Sequence, residues 1–125
     1  MTVLDTNAIL RFLLRDDMEK AVCVHDTMEQ EMCLIPVEVV AEAVYVLAKT
    51  YGVERALVRQ KLLNFMWNEN VEIPHRAVVE TALHHFGETT FDFVDCLMIG
   101  YAHVEGHRVL TFDKKLKNML SSTET

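Results

Sequence analysis

The sequence lacks any apolar run that approaches the length of a membrane span. A transmembrane helix needs about 20 consecutive apolar residues, and the longest apolar stretches here are interrupted by charges well before that length. The opening residues MTVLD also lack a basic segment followed by an apolar stretch, so we expect no signal peptide. These absences predict a cytoplasmic protein without a membrane partner.

Cysteine is also scarce, and the cysteines present are unpaired by pattern. The chain has three, Cys23, Cys33 and Cys96, an odd number without a CxxC pair. This arrangement argues against a disulfide framework and predicts buried thiols in a reducing cytosol. A glycine-rich phosphate loop is absent as well, so a nucleotide-binding switch is not expected.

Positive charge is in short supply. The 12 Lys and Arg residues face 19 Asp and Glu residues, which gives a net charge of −7, and much of the excess lies in residues 16–42. A chain of this charge should not bind nucleic acid without a cation or a local basic surface. It should attract cations or a basic partner.

The 125 residues are expected to form one domain over residues 1–125. Short apolar segments predict strands at 2–4, 33–35, 71–73 and 108–112. Helical patterns predict helices at 17–31 with Asp16 as N-cap, 36–51, 54–67, 74–86, 92–105 and 114–120, and a frayed tail at 121–125. The alternation predicts an α/β fold: a three-layer α/β/α sandwich with a central parallel sheet of about four to five strands.

Four acidic residues stand where charge is unexpected. Asp5 and Asp113 each follow directly on a predicted strand, and Glu42 and Asp95 interrupt the most apolar stretches of their helices. In parallel sheets, function collects at the carboxyl ends of the strands. If the first strand and the 108–112 strand are neighbours, the carboxylates meet at that edge.

Gathered carboxylates repel one another. Two unit charges about 4 Å apart cost roughly 4 kcal/mol at an effective dielectric near 20, and a small domain has only about 5–15 kcal/mol of stability. The acids must therefore stay protonated or be neutralised by a divalent cation. Oxygen ligands select a hard ion, Mg²⁺ or Mn²⁺.

Ordinary structural roles compete with this interpretation at each position. Asp5 and Asp113 could each cap the helix that follows. Asp92 could cap its own helix or join the acids, and Glu38 lies four residues before Glu42, so that spacing does not choose between the two glutamates.

Four segments carry a resemblance to a known family. The segments VLDTNAIL, VEVVAEAVYVL, FDFVDCLMIGYA and RVLTFDKKL resemble, in order and spacing, the motifs of PIN-domain proteins, and among these the VapC toxins. The residues that the motifs assign are Asp5, Thr6, Asn7, Glu42, Asp95, Thr111 and Asp113. Many relatives continue into a further edge strand, which we do not expect from the ending SSTET.

The resemblance implies a Mg²⁺- or Mn²⁺-dependent endoribonuclease, held inactive by a cognate antitoxin in a type II toxin–antitoxin pair and often homodimeric. Its catalytic and metal-binding residues would be Asp5, Glu42, Asp95 and Asp113. Asn7 and Thr111 would orient a carboxylate or water, with Thr6 and Asp92 in support. Asn7 could instead cap the helix that begins near Ala8.

An acidic ribonuclease needs local cations to approach RNA. We predict phosphate contacts for some of Arg11, Arg15, Lys114 and Lys115, near which Arg108 and Lys117 also lie. For each of them, a surface role in solubility is an equal alternative. The acids would also suit an arginine from an antitoxin, in competition with metal.

Two other function classes remain as alternatives. One is a catalytically silent PIN-like binding module. The other is a receiver-type phospho-acceptor domain, which needs an acceptor aspartate after a middle strand, whereas the 71–73 segment ends in Pro74-His75.

Overall fold

The computed structural model describes residues 1–122 of the chain. Its strands are β1 (Thr2–Val3), β2 (Cys33–Leu34) and β3 (Val71–Glu72). Its helices are α1 (Thr6–Leu14), α2 (Met18–Gln30), α3 (Val37–Tyr45), α4 (Arg55–Met66), α5 (Arg76–Glu88), α6 (Phe93–Glu105) and α7 (Lys114–Ser122). A π-helical turn, Val46–Thr50, continues α3.

The strands form a parallel sheet in the order β1-β2-β3. The backbone pairing continues past the short strands, since Leu4 N–H donates to the Leu34 carbonyl and Ile35 N–H donates to the Glu72 carbonyl. The connections between successive strands contain helices, as parallel pairing requires. The predicted α/β class with a parallel sheet is therefore confirmed.

The core lies between this sheet and the surrounding helices. Helix α5 packs against α4 and α6, and α3 contacts both α1 and α6. The largest fully buried side chains of the core include Ile9, Ile35, Leu47, Leu62, Leu83 and Ile99. None of the helices in residues 1–122 is both long and apolar enough to cross a membrane.

The strand predicted at 108–112 does not form, so within residues 1–122 the sheet has three strands. Leu110 and Phe112 are 87% and 91% exposed, although their apolar character had indicated a strand. Local hydrogen bonding replaces the ladder here, because the hydroxyl of Thr111 accepts the N–H of Asp113 and Asp113 then caps α7. Within residues 1–122, Asp5 and Asp113 are therefore not brought together by a pairing of this segment with β1, the condition considered from the sequence.

Several boundaries also differ from the predictions. The N-cap of α2 is Asp17, not Asp16, because Asp16 forms an ion pair with Arg11. Helix α5 continues through Gly87, and Cys23 is exposed rather than buried. The predicted tail at 121–125 is helical at 121 and 122, and residues 123–125 lie outside the described part of the chain.

Helices α5 and α6 approach closely at a glycine. A Cβ placed on Gly100 would lie 2.7 Å from the carbonyl oxygen of Val78 and 3.0 Å from its Cγ1. Backbone atoms cannot turn aside as a long side chain can. The absence of a side chain at Gly100 therefore sets how near α6, which carries Asp95, lies to α5.

We expect Gly100→Ala to lower the free energy of unfolding by about 1–3 kcal/mol, because the added methyl group must push the two helices apart. Gly87→Ala is the matched control. The nearest atoms to its Cβ would belong to the flexible side chain of Arg59, at 2.8 Å, and alanine is favoured over glycine in a helix by about 1 kcal/mol. Urea unfolding of both variants measures the difference, and equal stabilities would contradict the close-approach argument.

Candidate active site

Two of the predicted acids act as helix caps. Asp5 Oδ1 accepts the N–H of Ala8 at 2.9 Å at the start of α1, and Asp113 Oδ1 accepts the N–H of Leu116 at 2.9 Å at the start of α7. The capping explanation is thus confirmed for both residues. Each cap uses one carboxylate oxygen and fixes the side chain, so the second oxygen remains available to a ligand.

A third acid at a helix start does not cap. Asp92 occupies the N-cap position of α6, but its exposed side chain makes no cap hydrogen bond. Its expected capping contact is therefore absent. Asp95 follows in the first turn of the same helix and is half-buried.

Burial and neighbouring negative charges both disfavour the ionised form of Asp95. Partial burial raises the pKa of its carboxyl group, and the negative charges of Asp92 and Asp113 raise it further. The fold has therefore brought these three carboxylates, from two distant segments, within electrostatic range of one another. Asp5 lies just before α1 and Glu42 lies on α3, two helices that pack together, and both side chains are exposed. Neither is among the charges that raise the pKa of Asp95.

The donor chemistry at this place fits a hard divalent cation. Among residues 1–122, no salt bridge engages Asp5, Glu42, Asp92, Asp95 or Asp113, so their oxygens have no competing cation. In the same part of the chain, no three His, Cys, Asp or Glu side chains already stand in a metal-holding arrangement. The carboxylates would have to turn toward a bound ion.

The residues predicted to support the acids differ in their burial and contacts. Thr6 is buried, and Asn7 lies exposed within the first turn of α1, so Asn7 is not the cap. The hydroxyl of Thr111 contacts the backbone of Asp113 at 3.1 Å and so orients the turn that carries this acid.

The predicted cations on α1 are differently engaged. Arg11 donates to Asp16 at 2.8 Å and to the hydroxyl of Tyr51 at 3.1 Å, and this hydrogen bond to Tyr51 is the main cause that raises the pKa of Arg11. Arg15 ends α1 with its guanidinium 5.8 Å from the ring centre of Phe12. Both lie at the opposite end of the helix from Asp5.

Lys115, unlike Arg11 and Arg15, lies beside the turn that carries the acids. Its ammonium group donates to the hydroxyl of Thr90 at 3.0 Å and lies 5.3 Å from the ring centre of Phe91. These two residues directly precede Asp92, so this cation stands beside the acids. Lys114, its neighbour, is exposed.

Sequence reasoning missed a cavity of about 640 Å³ beside the acids. It opens between α3 with its π-helical turn and the start of α6, and Asp92 and Asp95 line it together with apolar side chains. Its walls come from segments far apart in the chain, so no local pattern could have revealed it.

Arg55 secures the segment that carries these acids. Its guanidinium lies 3.7 Å from the ring centre of Phe86 and donates to the Phe86 carbonyl at 2.8 Å and to the Phe91 carbonyl. It thereby joins the start of α4 to the end of α5 and to the turn before α6. No motif predicted this role.

Comparison with known protein families agrees with the resemblance that the sequence motifs carry. The family model described as PIN domain matches residues 2–119, almost the whole chain. The chain belongs to the PIN-domain family. No curated protein and no solved structure matches it at a significant level. This PIN domain therefore has a nuclease-type fold, of a family that typically binds a divalent metal.

The receiver alternative fails separately, because β2, the middle strand, is followed by Ile35 and Pro36 rather than by an aspartate.

We expect Asp95→Asn to raise the melting temperature at pH 7 in metal-free buffer. The pKa of Asp95 is raised on folding, so its ionisation opposes folding at pH values above that pKa, and the penalty disappears as the pH falls below the unfolded value of 3.8. The gain should therefore shrink on acidification, and also on addition of Mg²⁺ or Mn²⁺ to the unmodified protein. Calorimetry across pH 3.5–7 measures it.

Glu69→Gln serves as the control, because Glu69 is an exposed acid outside the cluster and its removal should leave the melting temperature unchanged. An Asp95→Asn protein that melts at or below the temperature of the parent at pH 7 would contradict the electrostatic account.

Proposed function

We propose that this PIN domain is a Mg²⁺- or Mn²⁺-dependent endoribonuclease that hydrolyses RNA phosphodiester bonds, and that it is the toxin of a type II toxin–antitoxin pair. The observation that carries the proposal is the gathering of Asp92, Asp95 and Asp113 without a salt-bridge partner among residues 1–122. A nuclease-type fold with unpaired carboxylates is suited to holding a hard cation against a phosphate.

Asp5, Glu42, Asp95 and Asp113 are the proposed ligands. A bound divalent ion supplies a water of lowered pKa and stabilises charge on the scissile phosphate. The caps at Asp5 and Asp113 each engage one carboxylate oxygen, so each side chain would offer its second oxygen to the ion. Lys115, beside the turn before Asp92, is the cation best situated to bind a neighbouring phosphate.

The proposed partners follow from the same charges. RNA would be the substrate in the cytoplasm, and the unpaired acids would accept an arginine from an antitoxin, which would compete with metal. A homodimer is part of the proposal.

A PIN-like module that binds without cutting is the second candidate. One observation favours it: within residues 1–122, no three ligating side chains stand ready for a metal. A preformed site is common in metal-dependent enzymes, and its absence here would agree with a binding role. Cleavage measured with and without metal separates the two candidates.

We expect the purified chain to cut single-stranded RNA in Mg²⁺ or Mn²⁺ and to lose the activity in EDTA. Asp95→Asn should lower the rate on the order of 100-fold or more, because even an outer-shell partner of a metal ligand contributes about 10–100-fold. Gel analysis of end-labelled RNA measures the rate.

Glu38 and Glu42 supply a matched pair within α3, since both are exposed and one helical turn apart. Glu42→Gln should abolish cleavage, and Glu38→Gln should leave it within about twofold. The opposite result would assign the ligand to Glu38. Metal-independent cleavage, or unchanged cleavage by Asp95→Asn, would refute the proposed mechanism.

The toxin assignment predicts growth arrest when the chain is expressed in a bacterium. The arrest should require Asp95, since it depends on cleavage, and co-expression of a small protein from the adjacent reading frame should relieve it. Growth curves of strains expressing the parent chain and Asp95→Asn measure the effect. Equal toxicity of the two would rule out a nuclease toxin.

A further inference from the structure

We propose that the cavity beside Asp92 and Asp95 holds one unstacked nucleobase of a single-stranded RNA, next to the bond that is cut. The inference rests on the proposed function, because it takes RNA as the substrate. It adds a recognition site to the acidic cluster and names Tyr45 and Lys49 as the residues that bind the nucleotide.

The cavity and the acids share residues. Asp92 and Asp95 belong to the acidic cluster and also line the cavity. An RNA strand whose phosphate lies at the acids must therefore pass the mouth of the cavity. A base that leaves the stack at this point can enter it without any rearrangement of the strand elsewhere.

The size and lining suit a base better than a phosphate. A volume of about 640 Å³ lies within the usual range of small-ligand sites, roughly 300–1,000 Å³. Apolar walls come from Val44, Ala48, Phe86 and Phe93, and such walls accept the π-face of a base. The charged lining residues contain more acids than cations, which disfavours a phosphate inside the cavity: they are Lys49, Glu54, Arg55, Asp92 and Asp95. Sequence-tolerant binding of single strands commonly relies on such faces.

Tyr45 is an exposed aromatic residue of the cavity lining, whereas Phe86 and Phe93 are buried. Its ring is 64% exposed and lies on the same helix as the exposed Glu38 and Glu42. An exposed aromatic ring at the wall of the cavity offers a face on which a base stacks.

Among residues 1–122, Lys49 is one of the two cations that line the cavity, the other being Arg55. It lines the same cavity from the π-helical turn, and it is exposed on a protein with a net charge of −7. A polyanion needs such a local cation to approach an acidic surface. Turns of π-helix occur frequently at functional sites, and this one supplies both a wall residue, Ala48, and the lysine.

The first test is a titration of the isotope-labelled protein with each nucleoside 5′-monophosphate in EDTA, followed by NMR. We expect shifts of the backbone amides of Val44, Val53 and Phe93, which line the cavity. Because metal and cleavage are absent, this result does not depend on ribonuclease activity. Shifts at these amides without detectable RNA cleavage would leave the cavity assignment standing and refute the nuclease proposal.

The second test measures the affinity of a short single-stranded RNA containing 2-aminopurine for variants of the protein in EDTA. Tyr45→Ala should weaken binding on the order of tenfold, the usual effect of removing one stacking ring. Tyr45→Phe should retain it, and Ala48→Phe, which fills the cavity, should weaken it similarly. Trp67→Ala is the control, since Trp67 is an exposed aromatic residue outside this cavity.

Two outcomes overturn the inference. One is unchanged affinity for Tyr45→Ala and Ala48→Phe while RNA is still cut. The other is a change of oligomeric state in the Tyr45→Ala protein, seen by sedimentation, without amide shifts from nucleotide. The second outcome would assign the cavity to a protein side chain from another copy.

Discussion

Repulsion between carboxylates at the starts of helices is the constraint on which the candidate site depends. Asp5, Asp92 and Asp113 stand at or before the first turns of three helices, and Asp95 lies in the first turn of α6. A helix N-terminus stabilises a nearby carboxylate by about 0.3–1 kcal/mol, against roughly 4 kcal/mol between two charges 4 Å apart at an effective dielectric of 20. The helix ends therefore reduce the repulsion without cancelling it. The pKa of Asp95 is raised mainly by burial, and the charges of Asp92 and Asp113 raise it further.

Much of this arrangement was predictable because the acids break apolar patterns. Asp5 after a strand and Asp95 inside an apolar helix stand out in the sequence, and the family match over residues 2–119 agrees with the motifs. The failed strand at 108–112 has a physical cause, since an apolar pattern reports burial only where a partner exists. Leu110 is 87% exposed, and hydrogen bonds local to Asp113 satisfy the backbone nearby.

The cations show what sequence cannot supply. Arg11 and Lys115 are both basic residues a few positions from an acid, and charge alone ranked them equally. The fold separates them, because Arg11 is taken up by Asp16 and Tyr51 whereas Lys115 lies against the turn that leads to Asp92. The N-cap of α2 is likewise Asp17 rather than the predicted Asp16, because Asp16 pairs with Arg11. A partner from another element decided which of two adjacent aspartates was free.

Arg55 connects the acids with the cavity. It binds two backbone carbonyls, one at Phe86, which forms a wall of the cavity, and one at Phe91, just before Asp92. The start of α6 is therefore held by a side chain from α4, and the same helix start supplies Asp92, Phe93 and Asp95 to the lining of the cavity. A base in the cavity and a phosphate at the acids, as proposed above, would therefore both depend on the position of this guanidinium. Recognition of the base and cleavage of the RNA would then depend on the same arginine side chain within this PIN domain.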